Sequence, residues 1–336
     1  MSNGYILLNK PKGLTSRQAG WRVAKMFGGG KKIKFGHVGT LDPMATGLLV
    51  IALGEATKMI PYLDRLEVEG KGYEEVRADT SNLLPPTSYL FKEYLFTVEW
   101  GVETDTLDIT GTEIARDNRV PDIAGVQNAC KGLVGEIEQI PPAYSAIHVD
   151  GRRAYELARA GKAVDIPPRK VTIYDLRLEV EGKRYEEAHA DTSNLLPPTS
   201  YLFKVCCSAG TYVRSLARDI GRLAGGYLAT VTMIHRTKTN GFDIENAVAL
   251  DFLENMYHNS PKSVFEHLRP VDFGLDDIPV QNLSDSDARL FKNGGVIITK
   301  DDQVGLRRLY SHNQFIGIGM NDNYVLMPKR VIKDNT

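Results

Sequence analysis

GHVGTLDPMATGLLV, residues 36–50, decides how this chain is read. The stretch opens on a Gly-His pair and closes on an apolar run patterned like a buried strand. Asp42 stands in its middle, between Leu41 and Pro43, and is the first acidic residue of the protein. Residues 1–41 hold no Asp or Glu, yet they carry Lys10, Lys12, Arg17, Arg22, Lys25, Lys31, Lys32 and Lys34. A single carboxylate at the margin of a basic field suits work on a polyanion. Such a carboxylate acts as a covalent nucleophile or as a general base. An Asp before Pro is also a common turn former, and spacing alone favours the turn.

Upstream, residues 4–8 read as a short buried strand and residues 10–13 as a Pro/Gly turn. Thr15 and Ser16 then cap a helix whose apolar side includes Trp21, Val23, Ala24 and Phe27. The lysines at 31, 32 and 34 follow in a loop, and the acid-free run before them favours a phosphate-facing surface. Downstream, residues 94–100 alternate as a strand, and 101–111 form a polar loop with Asp105 and Asp108. Residues 121–134 and 151–161 read as helices, the second bearing Arg152, Arg153 and Arg159. Strands are expected at 169–176, 203–207 and 228–234, with a helix from about 210 to 223 that contains Tyr212 and Arg214. Arg214 is either a charge partner that keeps Asp42 ionised or an exposed helix arginine. Tyr94 and Tyr212 either stack on a nucleobase or pack half-buried at an element edge. Residues 270–330 read as a small β-rich module with a helix at 284–293.

The 336 residues suffice for one large domain and a smaller one, and 42% hydrophobic with 25% charged residues is ordinary for a globular protein. A net charge of −1 excludes a simple polycationic binder but leaves room for a local basic face. The apolar run near the N-terminus is too short for a signal peptide, and no stretch approaches a membrane helix. Cys130, Cys206 and Cys207 have neither disulfide-framework nor metal-ligand spacing, which points to core packing in a reducing cytoplasm.

A duplication interrupts the chain. Residues 65–92 and 177–204 agree at all but three of 28 positions, Gly72/Arg184, Val76/Ala188 and Arg77/His189, and the agreement stops abruptly at both edges. A structural repeat would diverge along its whole length. High identity with sharp edges instead marks one sequence inserted twice, similar to the in-frame mobile palindromic elements of some reduced bacterial genomes. Both copies are expected to be surface excursions without catalytic duty, because long insertions are tolerated in exposed loops.

Five motifs in one order carry a resemblance. KPKGLTS at 10–16, GHVGTLDPMATG at 36–47, Tyr94 ahead of DTLDITG, the run from Gln139 to Gly161, and GTYVRSLARDIG at 210–221 together resemble the tRNA pseudouridine synthase B (TruB) family. The resemblance covers nearly all of residues 4–240 apart from the two copies. It implies isomerisation of uridine 55 in the T loop of tRNA to pseudouridine, on a base flipped out of its stack. Asp42 would be the nucleophile, Tyr94 would stack on the uracil, and Arg214 would pair with Asp42. His37, Tyr212 and Ile234 would contact the displaced bases or line the pocket, and Lys10, Arg152 and Arg153 would take phosphates. His148 stands where the family usually has lysine, and His235 where arginine is common.

The expected fold is therefore α+β, a mixed and mainly antiparallel sheet flanked by helices, with a catalytic domain over 1–250 and a PUA-like RNA-binding module over 270–330. No cofactor or metal is implied. The expected partner is the T-arm stem-loop of tRNA, bound by a cytoplasmic monomer with no protein partner and no membrane. A catalytically silent tRNA-binding folding chaperone is the alternative, and intact Asp42, Tyr94 and Arg214 argue against it. A small-molecule hydrolase built on Asp42 leaves the basic N-terminus unexplained.

Overall fold

The computed structural model describes residues 2–28, 31–64, 91–145, 147–149, 151–162, 164–181 and 199–333. Of the duplicated segments only 91–92, 177–181 and 199–204 are among them; the surface-loop expectation for the remainder lies outside the described residues.

Strand β1 (Gly4–Lys10) leads through the Pro-Lys-Gly turn to helix α1 (Ser16–Phe27). Thr15 and Gln18 close a reciprocal capping box at its start. Ala19, Val23 and Phe27, four residues apart, form its buried stripe. Trp21 does not join them: it falls on the Arg17–Lys25 stripe and is 58% exposed, which corrects the expected apolar side. Strands β2 (Phe35–Val38) and β3 (Thr46–Leu53) pair antiparallel, and a 3-10 turn (Gly54–Lys58) leads to α2 (Ile60–Asp64). The chain continues with β4 (Lys92–Trp100), the hairpin of β5 (Val102–Thr104) and β6 (Glu113–Arg116), α3 (Ile123–Gly132) capped by Asp122, and β7 (Gly135–Gln139). A two-residue ladder of β8 (His148–Val149) and β9 (Arg152–Arg153) precedes α4 (Ala154–Arg159), so the two arginines expected on the helix lie just before it. Then come β10 (Arg169–Glu181), β11 (Ser200–Cys207), α5 (Val213–Leu223), β12 (Ala229–Thr239), β13 (Phe242–Asp243), β14 (Val248–Ala249) and α6 (Leu250–Asn259). The last elements are β15 (Val280–Asn282), α7 (Asp285–Lys292), β16 (Ile297–Ile298), β17 (Gly305–Ser311), β18 (Gln314–Asp322) and β19 (Val325–Val331). Among the described residues no helix is long and apolar enough to cross a membrane.

These elements form two compact units. The first holds residues 1–42, 49–71 and 244–336. In it β1 lies between β14, its parallel partner, and the later residues of β3. A separate five-stranded sheet, β15-β17-β18-β19-β16, closes over Phe291, Leu309, Ile316 and Leu326. The second unit holds residues 43–48 and 72–243. Its strands run β3-β12-β4-β11-β10-β7, with β3 parallel to β12 and every other neighbour antiparallel. Helices α3 and α5 pack together and against β10 and β12. The sheet is thus mixed and mainly antiparallel, as expected, because most of its strands are joined as antiparallel neighbours.

The second duplicate is not an excursion at its ends. Arg177, Leu178, Val180 and Glu181 continue β10 and pair with Lys204, Phe203, Leu202 and Tyr201 of β11. The residues immediately outside the copy, Leu176 and Val205, are themselves partners. The copy therefore sits at the tip of a hairpin and lengthens it with its own two ends. Phe203 is fully buried and stacks on Phe96 at 5.1 Å between ring centroids. The expectation failed because the end of the copy, SYLFK, is itself a strand sequence of aromatic and apolar residues.

Candidate active site

Asp42 is half-buried, and the residue before it is clasped from below by α1. The Ser16 hydroxyl donates to Leu41 O at 3.0 Å, and Leu41 N–H donates back to Ser16 Oγ at 2.9 Å. Ser16 is the last residue of KPKGLTS, so two motifs meet here in one buried contact. His37, on β2, has Nδ1 2.9 Å from Gly39 O, which ties the ring to the turn leading to Asp42. Lys10 is enclosed: its ammonium donates to Pro11 O at 2.9 Å and Leu14 O at 2.7 Å, stapling the turn before α1.

After Asp42 the chain passes into the second unit, and residues 43–48 are bound to β12. Thr46 and Gly47 pair with His235 and Arg236. Thr46 Oγ1 lies 2.8 Å from His235 Nδ1, and Arg236 Nε donates to Leu48 O at 2.7 Å. Gly47 has φ +97°, and a Cβ there would strike the Arg236 carbonyl, so the ATG of the motif needs its glycine. Arg236 is fully buried. It faces Tyr94 across the β12–β4 ladder, and Ile234 faces Phe96 two residues along. With a period of two, Arg236, Ile234, Tyr94 and Phe96 share one face of the ladder. Tyr94 and Ile234 are both nearly buried.

Arg214 is 3% exposed, so it is not a surface helix arginine. Its Nη1 donates to Thr106 O at 2.9 Å and lies 3.3 Å from Asp108 Oδ2; its Nη2 donates to Tyr144 O at 3.1 Å. Asp108 also accepts from the Thr106 hydroxyl, the Thr110 N–H and the Thr110 hydroxyl. The loop bends through Leu107, a non-glycine residue at φ +60°, and is anchored to β12 by bonds from Val231 N–H to Leu107 O and from Ile109 N–H to Val231 O. Removing one partner of such a buried pair typically costs about 3–5 kcal/mol, because a charge is left uncompensated. Asp108 was legible only as part of a polar loop; its role depends on a fold that brings residues 106, 108 and 144 to one guanidinium.

Tyr212 is the N-cap residue of α5. Its N–H donates to Gln139 Oε1 at 2.8 Å, and Gln139 Nε2 donates to Tyr212 O at 3.2 Å. The Arg169 guanidinium lies 5.2 Å from the Tyr212 ring centroid. A buried glutamine thus fixes the start of the helix that delivers Arg214. Arg152 and Arg153 are exposed on β9. Of the site residues expected from sequence, Tyr94, Arg152, Arg153, Tyr212, Arg214 and Ile234 belong to the second unit; Lys10, His37 and Asp42 belong to the first. All three thiols are unreactive in character: burial pushes Cys130 and Cys206 up to about 12 and Cys207 up to about 11.

Comparison with known proteins gives this arrangement a family. Residues 25–83 and 80–213 match the N-terminal domain of the TruB family pseudouridylate synthases, and residues 279–332 match the C-terminal domain of pseudouridine synthase II TruB. The tRNA pseudouridine synthase B of Caulobacter vibrioides is 38% identical over 90% of this chain and 83% of its own length. The enzyme of the same name from Novosphingobium aromaticivorans is 40% identical over 91% of this chain and 89% of its own length. An H/ACA RNP bound to a substrate RNA containing 2′-deoxyuridine shares the fold, with a TM-score of 0.64 at 19% identity over 98% of this chain and 85% of that one. The chain belongs to the TruB family of pseudouridylate synthases.

Proposed function

We propose that this protein converts uridine 55 in the T loop of tRNA to pseudouridine, with Asp42 as the nucleophile. The C1′–N1 glycosidic bond breaks, the uracil turns while held in the pocket, a C1′–C5 bond forms, and the proton on C5 leaves to solvent. Asp42 attacks the flipped nucleotide, Tyr94 stacks on the uracil, and Ile234 and Tyr212 line the pocket. Arg214 keeps the Asp42 carboxylate ionised, while His37 holds the displaced loop bases. Lys10 shapes the turn below the RNA, and Arg152 and Arg153 contact phosphates. Extruding the base costs a few kcal/mol, offset by those contacts. Residues 1–250 serve as catalytic domain and 270–330 as a PUA-like RNA-binding module, in a cytoplasmic monomer that needs no cofactor.

The observation that carries this reading is the clasp at Asp42. The serine of one family motif fixes the backbone directly before the aspartate of the next. Preorganisation of that kind suits a group that must attack from a defined position. Unmodified tRNA tritiated at uridine C5 provides the test. The wild type should release tritium, and Asp42→Ala should bind tRNA yet release none. Release by Asp42→Ala would remove the nucleophile assignment; binding without release by the wild type would favour an RNA-folding chaperone.

A further inference from the structure

The outer face of α1 has no place in the chemistry above. Arg17, Trp21 and Lys25 stand four residues apart and are all exposed. The stripe is about 12 Å long at the ordinary helical rise. Its centre is an indole, a side chain that soluble proteins seldom leave in water. Lys25 Nζ lies 5.7 Å from the Trp21 ring centroid. Arg22, between them in sequence, is turned aside: its guanidinium makes a two-pronged contact with Glu254 on α6. Arg17 and Lys25 have no acidic partner among the described residues. Exposed Lys12 stands before the helix, and exposed Lys31, Lys32 and Lys34 stand after it.

Local stability explains none of this. Arg17 lies in the first turn of α1, where the helix dipole disfavours a cation, and no acidic residue stands there to compensate. An exposed tryptophan contributes less to a helix than alanine, glutamate or lysine would. A basic stripe with an aromatic at its centre is the pattern of surfaces that bind single-stranded nucleic acid: cations track phosphates, and the ring stacks on a base. One ring amid charges is too little apolar surface for a membrane-seated helix.

We propose that this face of α1 is a second RNA-contact surface, on which Trp21 stacks against an unpaired base of the tRNA while Arg17 and Lys25 take the flanking phosphates. The inference rests on the tRNA-modifying function proposed above. It adds a contact that the family motifs do not contain, since Trp21 lies between KPKGLTS and the Asp42 stretch.

The chain has two tryptophans, and Trp100 is 2% exposed, so quenching by a soluble quencher reports Trp21. Added tRNA should shield that emission from acrylamide. Trp21→Ala should weaken tRNA binding by about fivefold or more, the lower end expected for loss of one stacked base, and Trp21→Phe should recover part of the loss. Joint Arg17→Gln and Lys25→Gln should flatten the slope of log affinity against log salt by roughly 1.5, as two lost phosphate contacts require. Circular dichroism of each variant checks that α1 stays folded. Unchanged shielding, affinity and salt slope in a wild type that still modifies tRNA would overturn this inference alone. A wild type that neither binds nor modifies tRNA would take both proposals down together.

Discussion

Arg236 shows how much a single side chain can set at a distance in sequence. It is fully buried, donates to Leu48 O, opposes Tyr94 across the ladder, and lies where Gly47 must approach without a Cβ. It therefore holds residues 43–48, the backbone to which Asp42 is tethered, and the strand face that carries Tyr94. We treat it as a positioning residue. Arg236→Lys keeps a charge but loses the planar fork that reaches a carbonyl at fixed geometry. It should lower kcat for pseudouridine formation by about tenfold or more, since small misplacements are costly, and leave KM for tRNA near the wild-type value. A matched loss in both, tracking a loss of thermal stability, would reduce Arg236 to a core residue. Nothing in the sequence marked it. It reads as one basic residue in His-Arg-Thr-Lys after an expected strand, and only the extension of β12 to Thr239 draws it into the sheet.

The strands and helices were largely legible where one face is buried. The apolar run after Asp42 became β3, the alternation at 94–100 became β4, and Asp122 capped α3 as its position suggested. Misreadings fall where tertiary context overrides local pattern. Trp21 was assigned to the apolar side by its hydrophobicity alone, although two positions separate it from the Ala19–Val23–Phe27 stripe. The second duplicate was assigned to a loop by its edges and charge, yet its ends are strand. Excising residues 177–204 would join Leu176 directly to Val205, two residues that now face each other across a ladder. A hairpin has no room to reverse without loop residues, and the buried Phe203 ring would vanish from its stack on Phe96. Burial lost with one phenylalanine is worth about 3–5 kcal/mol. The excised chain should unfold at markedly lower urea concentration than the wild type. A chain in which residues 182–199 are replaced by Asn-Gly, so that Glu181 and Ser200 flank a two-residue turn, should keep its midpoint close to the wild type. Equal midpoints for both deletions would show the copy's ends to be dispensable.

At the scale of the whole molecule, the first unit ties the last strand to residues near the start. Lys58 donates to Glu55 at 2.6 Å and to Val331 O at 2.9 Å, and Lys333 N–H donates to Glu55 at 2.8 Å. Burial alone would raise the Glu55 carboxyl, but the Lys333 N–H and the Lys58 ammonium bring it below its ordinary range. A carboxylate lowered in the folded state stabilises above its unfolded pKa, about 4.3, and that contribution fades as pH falls through the folded value. Glu55→Gln should therefore melt below the wild type at neutral pH, with the gap closing in acid; a gap that persists there would assign the effect to packing. The duplication has a consequence of another kind. Each copy ends in the same SYLFK, and the three positions at which the copies differ all lie earlier in the segment. Two interchangeable strand codes thus compete for one slot between β4 and β10 as the chain folds. Discrimination has to come from outside the copies: Val205 and Cys206 continue β11 after the second, whereas Glu93 and Tyr94 continue β4 after the first. The chain's memory of which copy belongs where is kept entirely by the older sequence on either side.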